Sequence, residues 1–436
     1  MGKKGWLVTM AGLGLNLALG VLYAWSMFGK QLTEPIEAGG FGWTRTASTL
    51  PYTCAIAFFA FMMIPAGRFQ DRFGPRVVAS AGAILCGLGL MVASLGAPDR
   101  MWPVVLGFGI LAGSGIGLGY AAATPAAVKW FGPEKKGLIT GIVVAGFGLA
   151  PVYIAPVSRH LLATRGIEQS FLIFGFVFLV VAGIAAQFLV NPPTRATGPT
   201  PAPDPQPGNS SLAEQATPVA TADNPVTVDK TWREMIRTPT FWSLYVQYAC
   251  GATAGLMIIG HVAKIVSVQS GGVIKAGFLF VALLAVFNAA GRVIGGVVSD
   301  IIGRVGAMII VFVLQATTLF FFDQLTSTMA FLFGAALVGF NYGACLSLFP
   351  ATAADYWGTR NLGLNYGILF TAWGVGGVFG PMLAGAIADA TGSYTVAYQV
   401  AGGLLMFASL LAMVSHIHLT FSLPEKQLVI TFGKRL

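Results

Sequence analysis

One arginine sits where arginine is costly. Arg292 lies inside the apolar run LLAVFNAAGRVIGGVVSD, about two turns before Asp300, with Ala, Gly and Val around it. An ionised side chain at membrane depth costs about 2.5 to 3.5 kcal/mol on insertion scales, so such a residue marks a site that supplies its counter-charge. No acidic residue lies in the middle of any long apolar run, because all sixteen Asp and Glu fall in loops or near run ends, as Asp355 and Asp389 do. The missing anion is then a substrate, and the planar guanidinium fork suits a carboxylate, which it binds through two parallel hydrogen bonds. Asn288 stands four residues earlier on the same helical face, placed to accept from Arg292 or to donate to a carboxylate or hydroxyl. The competing assignments are an arginine that reaches a backbone carbonyl or the interface, and an asparagine that bonds a neighbouring helix.

His261 is the one histidine at some depth, since His160, His416 and His418 fall near run ends. It suits a gate or a proton-linked role, and equally an interhelical hydrogen bond. Aromatic residues gather at glycine-rich positions: Tyr23 in GVLYAWSMF, Tyr120 in GIGLGYAAATP, Phe147 in AGFGLAP, Tyr342 in FNYGACLSLFP and Trp373 in FTAWGVGG. Singly they read as packing; as a set they would wall a compact cavity opposite Arg292. Cys54, Cys86, Cys250 and Cys345 read as small apolar packing residues rather than as a disulfide or metal set. With no phosphate loop, zinc-ligand cluster or nucleophile elbow, the sequence implies no metal, no cofactor and no enzymatic chemistry.

These residues need a membrane to be held in. The 436-residue chain is 56% hydrophobic and 9% charged, too little polar surface for a compact globule in water. A bilayer core needs about 20 apolar residues per helix. Twelve such stretches are predicted, at 6–28, 47–67, 77–97, 103–128, 137–160, 169–191, 241–266, 276–298, 305–323, 328–355, 364–388 and 394–418. The fold class expected is an all-α polytopic membrane protein. Placing both termini in the cytoplasm puts seventeen Lys and Arg on that side and seven on the other, with Arg292 left in the membrane. The net charge of +9 is thus mostly a topology signal, with nothing in it for nucleic acid. The location implied is a cell inner membrane, the partners being lipid, a small carboxylate and, in one coupling scheme, a proton, with the chain a monomer.

Residues 192–238 are Pro-, Ala- and Thr-rich without apolar periodicity and read as a cytoplasmic linker. The linker ends in a short interfacial helix opened by the capping-box pattern Thr231-Trp232-Arg233-Glu234. This divides the chain into a six-helix bundle over 1–191, a second over 239–420 and a tail over 421–436. The halves repeat one another. GRFQDRFGPR, with Asp71, Arg72 and Gly74, is matched in the second half by GGVVSDIIGR, with Asp300, Gly303 and Arg304. WFGPEKKG is matched, at nearly the same offset along the chain, by WGTRNLG. Such loops suit tight connections whose Asp meets an Arg of a neighbouring helix and holds one conformation closed.

On these duplicated loops the chain resembles the major facilitator superfamily over essentially its whole length, which implies two pseudo-symmetric six-helix bundles rocking about a central cavity. GVLYAWSMF, DRFGPR, KWFGPEKKGLITG, EMIRTPTFW, FNAAGRVIGGVVSDIIGR and NYGILFTAWG together resemble the oxalate/formate antiporter group and, more distantly, the monocarboxylate transporters. The resemblance implies anion binding by Arg292 with Asn288, and Tyr23, Tyr120 and Tyr342 packed around the carboxylate. Phe147 stands where that pattern has a tyrosine, and Leu346 replaces another. Trp373 stands where the oxalate carrier has a lysine, so a second cation is missing. With Arg292 alone, a buried dicarboxylate keeps one unpaired charge, which is heavily penalised. A monocarboxylate of the lactate, pyruvate, formate or acetate type is expected, by exchange or proton symport. An oxalate/formate-type dicarboxylate antiporter, or a non-carboxylate carrier of the same superfamily, is the alternative.

Overall fold

The computed structural model describes residues 2–193, 229–271 and 277–422. The expected linker falls mostly on 194–228, and the expected tail mostly on 423–436, both outside the described residues. The described chain is almost wholly helical, as bilayer-length apolar runs must be when no water is present to satisfy free backbone groups.

The first span is α1 (Gly2–Leu19), a 3-10 segment Gly20–Ala24 and α2 (Trp25–Thr33). Then follow α3 (Arg45–Phe73), α4 (Pro75–Ala93) and a fourth span of α5 (Trp102–Val104), a π-helical stretch Val105–Ala112 and α6 (Gly113–Val128). Helix α7 (Lys136–Gln187) has 52 residues and doubles back at Gly166, whose φ is 76°. That length far exceeds one crossing, and only glycine adopts such a φ readily. The second half holds α8 (Trp232–Ile236), α9 (Pro239–Ile259), α10 (Val262–Gln269), α11 (Gly277–Ile302), α12 (Arg304–Phe320), α13 (Thr328–Trp357), α14 (Leu362–Thr391) and α15 (Thr395–Ser422).

Among the described residues nine helices are long and apolar enough to span a bilayer. Counting α7 twice and adding the broken α9–α10 pair and the shorter α12 gives the twelve expected. Most predicted boundaries shift by a few residues, as where the run at 47–67 extends to Phe73 and the run at 77–97 ends at Ala93. The run at 241–266 breaks at Gly260 and His261, and the run at 305–323 ends at Phe320. The capping box forms as its pattern indicates: the Thr231 hydroxyl accepts from the Glu234 amide, and the Glu234 carboxylate accepts from the Thr231 amide at 2.7 Å. Those bonds hold the Glu234 carboxyl below the usual carboxylate range.

The halves meet along two seams related by the repeat, α7 against α11 and α3 against α14. Both seams are backbone-close. A Cβ on Gly137 would overlap the Gly296 carbonyl, and one on Gly67 would overlap the Gly363 carbonyl.

At the face where the linker joins, each seam is pinned by the aspartate of a duplicated loop. Asp300 accepts from the Gly137 and Leu138 amides, both at 2.9 Å, and Asp71 accepts from the Gly363 and Leu364 amides at 3.3 and 3.0 Å. Each carboxylate therefore caps the positive N-terminal end of a helix in the opposite half. This refines the expectation that the aspartates meet arginines. Asp300 also pairs with Arg304 at 2.7 Å, but the cation beside Asp71 is Lys129 at 3.5 Å, while Arg72 lies over the ring of Phe73. Gly74 and Gly303 allow the turns, with φ of 87° and 88°.

The two clasps differ in strength. Arg304 also binds Asp355 at 2.7 Å, and Asp355 binds Lys136 at 3.0 Å, so the α7–α11 seam carries a buried chain of four charges. Asp71 has longer bonds and one distant lysine. Asp300→Asn should therefore loosen the linker-face closure more than Asp71→Asn. Removing a charge-assisted bond of about 1.5 to 3 kcal/mol shifts the closed population roughly 10-fold or more. Distances between spin labels on α3 and α14, and on α7 and α11, would show it; equal broadening in both variants would contradict it.

Candidate functional site

Arg292 lies on α11 and is 1% exposed. Its Nε donates to Asn288 Oδ1 at 2.8 Å, one helical turn away on the same face. Its Nη1 donates to the Val144 carbonyl on α7. The approach to that backbone depends on Gly148, where a Cβ would lie 3.1 Å from both Arg292 Nε and Asn288 Oδ1. Nη2 is buried and has no hydrogen-bond partner among the described residues. The backbone-carbonyl contact weighed in the sequence is thus present, and it satisfies only part of the fork.

The guanidinium faces a cavity lined by Phe59 from α3, Tyr120 from α6, Phe147 from α7, Leu346 from α13 and Phe370 and Trp373 from α14. Both halves contribute to it, as a site between two rocking bundles requires. Phe59 is the hub of the wall, with ring centroids 5.4 Å from Tyr120, 5.9 Å from Phe147, 5.2 Å from Phe370 and 5.3 Å from Trp373. Trp373 Nε1 donates to the Tyr342 hydroxyl at 2.8 Å, which fixes the indole in the wall. The cavity volume is about 10 Å³, room for about one water. This conformation is therefore occluded around its cation.

Of the residues singled out in the sequence, Tyr120, Phe147 and Trp373 line the cavity with Arg292, while Asn288 and Tyr342 stand behind it, each bonded to a lining residue. Tyr23 falls in the 3-10 segment of the first span, and its side chain lies outside those described. His261 is not among the cavity residues. It sits at the α9–α10 break, where Nε2 bonds the Pro381 carbonyl at 2.9 Å and Nδ1 faces the Tyr394 hydroxyl at 3.4 Å. The four cysteines are free. Phe59, Phe370 and Gly148 carry no mark in the sequence reading. Phe370 sits three residues before Trp373, close to the helical period that puts it on the same face.

Two six-helix bundles closing over a cation-bearing cavity define a polytopic membrane carrier. The chain belongs to the Major Facilitator Superfamily, whose family model matches residues 6–287 and 267–425. It is a transporter and not an enzyme. It is similar to the oxalate:formate antiporter of Oxalobacter formigenes, with 28% identity over 89% of this chain and 86% of that one. It is also similar to monocarboxylate transporter 13 of Rattus norvegicus, with 24% identity over 94% of this chain and 88% of that one. Among solved structures, the proton:xylose symporter XylE superposes with a TM-score of 0.69 at 14% identity, covering 100% of this chain and 98% of that one.

The Arg292–Asn288 geometry can be tested directly. Asn288→Asp places a carboxylate where Oδ1 already accepts from Nε, so the guanidinium is neutralised from within. If Arg292 anchors a carboxylate, as the sequence leads one to expect, binding of lactate as a test anion to the purified protein, followed by calorimetry, should weaken at least ~10-fold at pH 7, in keeping with charged hydrogen bonds of about 1.5 to 3 kcal/mol. It should recover in part at acid pH, where the new carboxyl is protonated. Unchanged affinity at pH 7 would show that the bound anion does not use the guanidinium.

Proposed function

We propose that the protein is a secondary carrier of small monocarboxylate anions, working by alternating access in a cell inner membrane with both termini and the linker in the cytoplasm. One observation carries this reading: the buried Nη2 of Arg292, without a partner among the described residues, facing an aromatic cavity shared by both halves. A carboxylate there would take one oxygen to Nη2 and draw the other toward Nη1, making the bidentate pair that guanidinium favours.

A single negative charge is what the site balances. Lys136 and Arg304, the other deeply buried cations among the described residues, are both committed to Asp355 at the linker face. Trp373 occupies the cavity wall where a second cation would be needed, and its indole nitrogen is bonded to Tyr342. A dicarboxylate would keep a charge unpaired in an apolar enclosure, which supports a monoanion such as lactate, pyruvate, formate or acetate. The two similar carriers named above support the carboxylate class at a coarser level.

Charge also bears on coupling. The empty carrier must reorient with a bare guanidinium buried, whereas the carrier loaded with a monoanion is neutral across the site. This favours exchange of one anion for another. Proton symport is the second reading, with the proton on the bound carboxylate or on His261, whose ring bonds Pro381 and Tyr394 outside the cavity lining.

Liposomes containing the purified protein test both points. Uptake of labelled lactate should fall at least ~100-fold in Arg292→Ala, since a charge-assisted anchor contributes about 1.5 to 3 kcal/mol and more in an apolar site. It should fall nearly as far in Arg292→Lys, which lacks the planar fork. Stimulation by unlabelled anion inside identifies exchange, and stimulation by an inward proton gradient identifies symport. Full activity in Arg292→Ala, or preference for oxalate, would overturn the assignment.

A further inference from the structure

Beside the Arg292 cavity, on its linker-face side, lies a second group of buried polar atoms. Tyr248 on α9 and Tyr366 on α14 are each 1% exposed, and neither hydroxyl makes a hydrogen bond of good geometry within the described structure. A buried hydroxyl without a well-formed bond is costly. The Tyr248 hydroxyl faces that of Tyr366, and the Tyr366 hydroxyl also faces Tyr120, a cavity-lining residue, so the three tyrosines form a weakly bonded chain that reaches the cavity.

Phe370 lines the cavity and packs against both tyrosine rings. Its ring centroid is 6.2 Å from that of Tyr248 and 5.7 Å from that of Tyr366, and it stacks on Trp373 at 5.0 Å. Tyr366 stands one turn before Phe370 on α14, so a shift of that ring would bring an occupant of the cavity toward the Tyr366 side chain. The cavity as it stands holds about one water, so any substrate must displace part of its wall. The tyrosine side differs from the apolar part of the wall because its hydroxyls, bonded only weakly to one another, keep donor and acceptor capacity for whatever replaces the ring.

The two groups of atoms differ in chemistry. The guanidinium only donates, and it recognises a carboxylate. A phenol hydroxyl donates to a carbonyl oxygen, and either donates to or accepts from an alcohol. We propose that Tyr248 and Tyr366 form a second subsite that binds an oxygen on the substrate's carbon chain, so that the carrier prefers hydroxy and oxo monocarboxylates to unsubstituted ones of similar size. This inference rests on the reading of Arg292 as the carboxylate anchor. Sites built to hydrogen-bond a substrate oxygen reject analogues that lack it, because the protein's own polar groups are then left without partners.

The experiment compares uptake of labelled lactate, pyruvate and propionate into liposomes for wild type, Tyr248→Phe, Tyr366→Phe, the double variant and Arg292→Ala. Phenylalanine keeps the ring and removes only a weakly bonded hydroxyl, so each variant should fold, with a melting temperature without substrate close to that of wild type. Wild type should take lactate about 10-fold better than propionate or more, as the ratio of kcat/KM. Each single variant should lower that ratio several-fold, and the double variant should bring it near one. A wild-type ratio near one, a ratio unmoved by the tyrosine variants, or an equal loss of lactate and propionate uptake would each overturn the subsite. If Arg292→Ala retains the lactate preference while the tyrosine variants lose it, the carboxylate-anchor reading fails and the tyrosine subsite stands.

Discussion

The guanidinium of Arg292 carries a full charge into a region where water cannot solvate it, and the packing around it is organised by that fact. Asn288 turns its amide oxygen toward Nε, Val144 lends a carbonyl to Nη1, and Gly148 withholds the side chain that would block both. These contacts hold the fork in place without neutralising it, because amide and carbonyl dipoles offset only part of a charge in an apolar medium. Apart from Leu346, the rest of the enclosure is aromatic, with Phe59 at its hub. An anion entering such a space meets a cation whose attraction is little screened.

The second organising feature is where the two bundles touch. Both seams use the same device at repeat-related positions: glycines bring backbones together, and an aspartate reaches across to the free amides of the opposite helix. Helix ends carry unpaired N–H groups wherever they occur, so the duplicated loop need only supply a carboxylate at the correct height. The bond breaks cleanly when the bundles part, because water can solvate both partners once the face opens. A fully apolar contact would lack that reversibility.

Much of this is legible in the sequence. Arg292 announces itself by being charged in an apolar run, and Asn288 by its four-residue spacing. The Asp71 and Asp300 loops stand out because they occur twice, a signal that needs no knowledge of contacts. What is not legible depends on tertiary placement. Asp355 and Lys136 look like ordinary helix-end charges until α13 is laid beside α7, and Phe59 is one phenylalanine of 32 until it is seen at the hub. His261 stands out by its depth in an apolar run, but the break at Gly260 sets its ring toward Pro381 and Tyr394 rather than toward the cavity. Tyr366 falls in the NYGILFTAWG stretch without being singled out there, and Tyr248 in none, since a tyrosine in a membrane helix becomes unusual only when its hydroxyl is seen buried without a well-formed bond.

The unequal clasps also shape the motion that the fold permits. Were the two seams equally strong, the bundles would separate symmetrically about the cavity. Here the α7–α11 seam is riveted by four buried charges, and the α3–α14 seam is held by two longer bonds and a distant lysine. At the linker face the α3–α14 seam is therefore the one that costs less to part, and the α7–α11 seam the one that resists. Arg292 sits on α11, a helix of the stronger seam, whereas Phe59, Phe370 and Trp373 sit on the two helices of the weaker one, so the cavity's cation and most of its aromatic wall are fastened unequally.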